Sequence, residues 1–314
     1  MYRFVSLIKP IVLKKAYLKL YNVKLLQKKL DTIMATYPEI KAVLPDDISA
    51  KKLLVGNFKY LTKVYCAFTG YLNGKTNEEQ KSIKTAFING GFKYDTYKKR
   101  ISDFLVDVAN GFEIYNCVYC DMEDVTTFTK ANGNKVRKFE TEHVLDKGRC
   151  PLVGMSLYNF VASCRMCNGP AIKGTKTIGD TESEIARLSP TAEGYDFTNK
   201  VKFEVKMLTP GVEDLKATSC LDDYEIDFNV SEALYQKSID LFELKSRYNH
   251  HIEKLELLKW CEKRKMYPDS KVQKIADDLM IPFGEMFEEL FELDIRKREH
   301  YPKEKARRDV MLID

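Results

Sequence analysis

Three stretches decide how this chain reads: Cys117-Val-Tyr-Cys120; Phe139-Glu-Thr-Glu142-His143-Val-Leu-Asp146; and Leu157-Tyr-Asn159-Phe-Val-Ala-Ser-Cys164-Arg-Met-Cys167-Asn168-Gly-Pro-Ala-Ile-Lys173. A Cys-x-x-Cys turn sets two sulfurs on one side of a knuckle, where they occupy two corners of a tetrahedron. Two such turns complete a four-thiolate zinc site from Cys117, Cys120, Cys164 and Cys167. The 43 residues between the pairs exceed a simple zinc ribbon, so further structure must be built between them. The remaining cysteines, Cys66, Cys150, Cys220 and Cys261, have no paired spacing and read as buried thiols.

Working outward, Val125 to Lys130 and Lys135 to Val144 read as two strands joined by a turn at Ala131-Asn-Gly-Asn134. Phe112 to Tyr115 has strand composition, and Phe160 to Ser163 suits a short strand leading into a helix. Val201, Phe203, Val205 and Met207 alternate with polar residues, as do Tyr224, Ile226, Phe228 and Val230, which predicts two half-buried strands. The flanks are helical. Apolar residues recur at helical spacing from Ile11 to Ile33 and from Ala50 to Phe68, stopping before Gly70. A capping box at Thr76-Asn-Glu-Glu79 opens a helix that ends at Asn89-Gly-Gly91, and another spans Asp95 to Val108. From Ser231, read as an N-cap, helices run through Trp260, restart at Pro268-Asp-Ser270 and continue from Phe283 to Ile295.

The order Cys-x-x-Cys, Glu-His, Asn, Cys-x-x-Cys-Asn, Lys between Cys117 and Lys173 resembles the HNH endonucleases, in which two strands and a helix surround one divalent ion. It is most similar to their four-cysteine, zinc-stapled subtype and to bacterial anti-phage defence effectors. The resemblance implies an α+β fold with a small zinc-stapled core flanked by helical regions. The implied division is a basic helical domain at 1–110, the nuclease core at 111–180, a β-containing extension at 181–230 and a C-terminal helical domain at 231–314. It also implies roles. His143 is the general base that takes a proton from the attacking water, and Glu142 and Asn168 ligate a catalytic Mg2+ or Mn2+. Asn159 braces the loop that carries the histidine, and Lys173 meets phosphate. Many family members carry aspartate where Glu142 stands. In a regular strand neighbouring side chains point to opposite faces, so a strand end or bulge is needed for both Glu142 and His143 to reach one site. An unperturbed imidazole, with a pKa of about 6.5, suits a base at neutral pH. His250, His251 and His300 lie in charged helical segments and read as solvated or structural.

Charge points to the substrate. Residues 1–105 carry 20 Lys and Arg against 8 Asp and Glu, whereas residues 181–314 carry 22 against 29. A basic third of a chain favours a polyanion, most commonly nucleic acid, with DNA the preferred partner here. With 44% hydrophobic residues the chain is rich enough to fold, and no apolar run approaches a membrane span. The first ten residues lack the pattern of a secretory signal, so a reducing cytoplasm is the expected compartment. Two other readings remain open. A zinc module that binds nucleic acid without cutting it explains the cysteines and the basic region, but gives Glu142, His143 and Asn168 no task. Similarity to HNH subunits that accompany ATPases in defence systems implies an effector active only with such a partner.

Overall fold

The computed structural model describes residues 4, 6–133, 135–209, 221–295 and 301–312. Asn134, Cys220 and His300 lie outside the described residues. Among the described residues the fold is mixed α+β, with many helices and three two-stranded antiparallel sheets. By contacts the chain groups into two compact units, one of residues 2–114 with 125–196, the other of residues 115–124 with 197–314.

The first unit opens with helices. Asn22 caps Val23–Thr36, its Oδ1 accepting the Leu25 N–H at 3.0 Å. The tract expected from Ile11 to Ile33 is therefore two helices, Pro10–Leu18 and Val23–Thr36. Pro38 occupies the first turn of Pro38–Val43, where its missing N–H costs nothing. The Ala50 to Phe68 tract also divides. Asn57 Oδ1 accepts the Tyr60 N–H at 2.9 Å and starts Phe58–Asn73, which runs on past Gly70. The capping box at Thr76 forms as expected, and Asn77–Asn89 ends at Gly90 and a left-handed Gly91 (φ 106°). Tyr94–Leu105 follows. The Phe112 to Tyr115 strand does not form; Phe112 makes one isolated bridge to Ser6.

The expected hairpin is shorter than its sequence pattern. β1 (Thr127–Thr129) pairs with β2 (Lys135–Arg137), and the chain then breaks away. β3 (Glu140–His143) belongs to a different sheet and pairs with β4 (Phe160–Ser163), all four residues of which are buried. The helix Arg165–Asn168 follows directly, so the chain order is strand, strand, helix. Beneath these elements Phe68 and Phe87, both fully buried, meet edge to face with centroids 5.4 Å apart.

In the second unit β5 (Val201–Met207) and β6 (Tyr224–Val230) pair from Val201 opposite Val230 to Met207 opposite Tyr224. The predicted alternation is visible in burial: Val201, Phe203, Tyr224 and Ile226 are inside. Helix Glu304–Val310 packs on β5, where Asp309 Oδ2 accepts the Phe203 N–H at 2.9 Å. Ser231 does not cap a helix. Its N–H bonds Lys200 O, and the next α-helical segments are Gln236–Leu241, Leu244–Tyr248 and His251–Met266. Asp269–Leu279 and Phe283–Phe291 complete a cluster around Val272, Phe287, Phe291 and Leu293. No helix among the described residues is long and apolar enough to cross a membrane.

Replacing Phe87 with alanine should lower stability by about 3–5 kcal/mol, because the surrounding helices cannot collapse fully on the space left. A denaturant midpoint close to that of wild type would show that this aromatic pair does not anchor the first unit.

Candidate active site and metal centre

The site is built where β3 ends. The ladder places Glu142 opposite Val161 and His143 opposite Phe160. It continues one step further, with the Val144 N–H donating to Asn159 O at 3.0 Å. The fully buried Asn159 side chain then ties down the loop 144–159. Its Oδ1 accepts the Leu145 N–H at 2.7 Å, and its Nδ2 donates to Leu145 O at 2.9 Å and Val153 O at 3.0 Å. One amide thus satisfies three backbone groups that burial would otherwise leave costly.

That loop brings the Gly154 carbonyl to His143. The imidazole Nε2 lies 3.0 Å from Gly154 O. A carbonyl only accepts, so Nε2 carries the hydrogen and Nδ1 carries the lone pair. The ring is held edge to face against Tyr94 and Phe160, with centroids 4.5 and 5.0 Å away. Burial, reinforced by the positive charge of Lys147, pushes the imidazole pKa down to about 3. His143 is therefore neutral across the ordinary pH range, not poised near 6.5, because its surroundings penalise the cation.

Glu142 is also buried, and its Oε1 lies 2.5 Å from Lys173 Nζ. Burial raises the Glu142 carboxyl above the usual carboxylate range, and the Lys173 ammonium opposes that rise. Lys173, expected against phosphate, is fully buried and also donates to His143 O at 3.0 Å. A buried ammonium needs such acceptors to offset lost hydration, which explains why it faces inward. Asn168 ends the helix that Cys164 starts, and its Nδ2 donates to Glu140 Oε2 at 2.5 Å.

Glu142, His143 and Asn168 line one open cleft of about 610 Å³. Glu142 and His143 both border it because His143 is the last residue of β3, where the pleat no longer dictates direction. The cleft also takes in Tyr94 and Lys98 from the helix Tyr94–Leu105, Lys135 and Arg137 from β2, and Glu140, Asp146 and Lys147. Sequence reasoning missed these. Glu140 carries a signal, since it stands two residues before Glu142 and so shares its face of the strand. Lys98 and Tyr94 carry none, because a distant helix brings them in. Asn159 and Lys173 are fully buried and do not border the cleft.

The four cysteines of the two knuckles come together. The sulfurs of Cys117, Cys120, Cys164 and Cys167 lie within 4.8 Å of one another, and all four residues are buried. A tetrahedral zinc with sulfur at about 2.3 Å requires sulfur–sulfur edges of ~3.8 Å. The donor set and its spacing fit a metal ion such as zinc. The first knuckle is closed by the Asp121 N–H donating to Cys117 O at 2.9 Å, with Asp121 left-handed (φ 60°). In the second, the Cys167 N–H donates to Cys164 Sγ at 3.4 Å. Cys150 is different: burial pushes its thiol up to about 12, which keeps it protonated. Cys261 is likewise pushed up to about 12 by burial, and burial also raises half-buried Cys66. His250 and His251 are exposed, and His250 pairs with Glu253 at 3.1 Å.

Comparison with protein-family models, with curated proteins and with solved structures finds no match to this chain.

Two outcomes follow from this geometry. Changing any one of Cys117, Cys120, Cys164 or Cys167 to serine should strip bound zinc and lower the melting temperature, whereas Cys150→Ser should leave zinc content unchanged; elemental analysis reads both. Wild-type stability should also fall as pH drops from 7 to 5. An unfolded histidine binds a proton below about 6.5, but folded His143 does so only near 3, so within that window the unfolded chain holds more protons. The contribution is complete above about 6.5 and is lost progressively towards 3. Relative to His143→Gln, wild type should lose about 2 kcal/mol more between pH 7 and pH 5, measured by denaturant titration at each pH.

Proposed function

We propose that this chain is a metal-dependent endonuclease of the HNH type that hydrolyses phosphodiester bonds in nucleic acid, with DNA the favoured substrate. The observation that carries the reading is His143: its Nε2–H is held by the Gly154 carbonyl, so Nδ1 is a fixed, neutral proton acceptor beside a cleft that also takes in Glu142 and Asn168. The strand–strand–helix order of β3, β4 and Arg165–Asn168 supports it.

In this reading His143 Nδ1 takes a proton from water as the water oxygen attacks phosphorus, and the bond from phosphorus to the leaving oxygen breaks. The Gly154 carbonyl, already paired with Nε2–H, steadies the imidazolium that forms. Glu142 and Asn168 supply hard oxygen donors, suited to Mg2+ or Mn2+. Such an ion, when bound, lends Lewis acidity at the phosphate and stabilises the leaving oxygen. Lys98, Lys135, Arg137 and Lys147 line the same cleft and give the strand's phosphates cationic partners. The four-cysteine cluster supports the site indirectly, because Cys167 fixes the position of the adjacent Asn168.

The Glu142–Lys173 pair favours one variant of this reading. With its carboxylate held by a buried ammonium, the chain alone has one proposed ligand engaged. A defence effector released by an ATPase or another subunit fits that state.

Duplex DNA, single-stranded DNA and RNA, each incubated with Mg2+, Mn2+ or chelator, test the activity. Wild type should cut with metal only. His143→Ala should lose at least about 100-fold in rate while keeping zinc and nucleic-acid affinity. If His143→Ala cuts as fast as wild type, the assignment fails. If wild type cuts nothing until an ATPase partner is added, the effector reading holds; if it binds but never cuts, the binding module does. Affinity should fall about 100-fold between 50 and 200 mM salt if all four cleft cations reach phosphates, and a flat salt response would remove them from the interface.

A further inference from the structure

Glu140 is absent from the roles so far, yet it is the residue that touches Asn168. It stands on β3 two positions before Glu142, on the same face, and opens onto the same cleft. Its Oε2 accepts a hydrogen bond from Asn168 Nδ2 at 2.5 Å. An ionised carboxylate only accepts, and an asparagine amide donates from nitrogen and accepts at oxygen. The contact therefore decides which end of the Asn168 amide faces Glu140. Nitrogen is turned towards the carboxylate, and Oδ1, the end that can ligate a cation, is turned away from it.

The helix that carries Asn168 has only four residues, Arg165–Asn168, and Asn168 is its last. Its backbone is fixed by the knuckle, with the Asn168 N–H donating to Cys164 O at 3.1 Å. That bond places the Cα of Asn168 but leaves the side-chain torsions open. A half-exposed asparagine at a helix end samples several rotamers, and either end of its amide could face the cleft. Glu140 supplies the constraint that the backbone does not.

We propose that Glu140 is a positioning residue: by accepting from Asn168 Nδ2 it orients the Asn168 amide so that Oδ1 is the end offered to a divalent ion. This rests on the reading of Asn168 as a metal ligand. Residues that orient metal ligands typically contribute 10- to 100-fold in metal affinity.

The test is Mn2+ binding by zinc-loaded protein without nucleic acid, read from the electron paramagnetic resonance signal of free Mn2+, alongside the Mg2+ concentration for half-maximal cleavage. Three substitutions separate orientation from charge and from bulk. Glu140→Gln keeps an acceptor, because its Oε1 can still take the Asn168 N–H, and should bind Mn2+ within about threefold of wild type. Glu140→Ala removes the acceptor and should weaken binding about tenfold or more. Glu140→Lys offers only donors, turns the amide the other way, and should be at least as weak as alanine. Glu140 is exposed, so all three should keep wild-type zinc content and melting temperature.

Wild-type Mn2+ affinity in Glu140→Ala and Glu140→Lys overturns the proposal. So does a glutamine variant as weak as alanine, since the charge of Glu140 would then act directly and orientation would not matter. Asn168→Ala is the control that separates the two levels. If it weakens Mn2+ binding while Glu140→Ala does not, only the positioning role falls. If Asn168→Ala binds Mn2+ as wild type does, the metal-ligand reading of Asn168 falls and takes this proposal with it.

Discussion

The Asn159 side chain holds the site together. With one acceptor and one NH2 group it satisfies Leu145 N, Leu145 O and Val153 O, all inside the fold. Those three bonds pin both ends of the loop 144–159 to the end of β3, and the pinned loop delivers the Gly154 carbonyl to His143. Without the carbonyl, neither nitrogen of the imidazole would be assigned a hydrogen, and the orientation of the ring would be undefined. A buried amide thus determines, through backbone geometry, which nitrogen of a histidine carries the hydrogen.

Around that anchor the surroundings keep charge off the histidine. Tyr94 and Phe160 enclose the imidazole, and the ammonium of Lys147 sits over the Tyr94 ring at 4.8 Å. Apolar walls and nearby cations both disfavour imidazolium, which is why its pKa falls so far. Glu142 next to it meets the opposite arrangement, a buried ammonium at 2.5 Å. Removing Lys173 would strand a buried carboxylate, a more expensive loss than the pair's own net worth. The two adjacent residues of β3 thus sit in contrasting electrostatic environments although one backbone carries both.

The cysteine cluster and the cleft differ in donor type. The buried sulfurs of Cys117, Cys120, Cys164 and Cys167 are soft ligands gathered within 4.8 Å, suited to zinc. Glu142 and Asn168, which border the cleft, carry hard oxygen donors: the Glu142 carboxylate is buried against Lys173, and Asn168 is half-exposed. Cys167 and Asn168 are consecutive, so the knuckle that gathers the sulfurs also places Asn168 at the cleft.

What the sequence determined by itself was local. The Thr76 capping box, the alternation of β5 and β6 and the short β4 formed as read, because each depends on neighbours a few residues away, and the two Cys-x-x-Cys pairs, 43 residues apart, meet as their spacing predicts. Where a local signal competed with another, the reading ran too long. The helical pattern from Ile11 to Ile33 outvoted the Asn22 cap, and the β pattern from Lys135 to Val144 hid a change of sheet between Arg137 and Glu140. Contacts between distant residues were decided only by the tertiary structure. Lys173 faces Glu142 and not solvent because a lysine buried by packing must find an acceptor, and Asn168 faces Glu140 because β3 and the Cys164 knuckle meet. The cleft gains Lys98 and Tyr94 from a helix some forty residues earlier. Spacing along a chain specifies which atoms can reach one another through a turn; the packing of separate elements specifies which of them do.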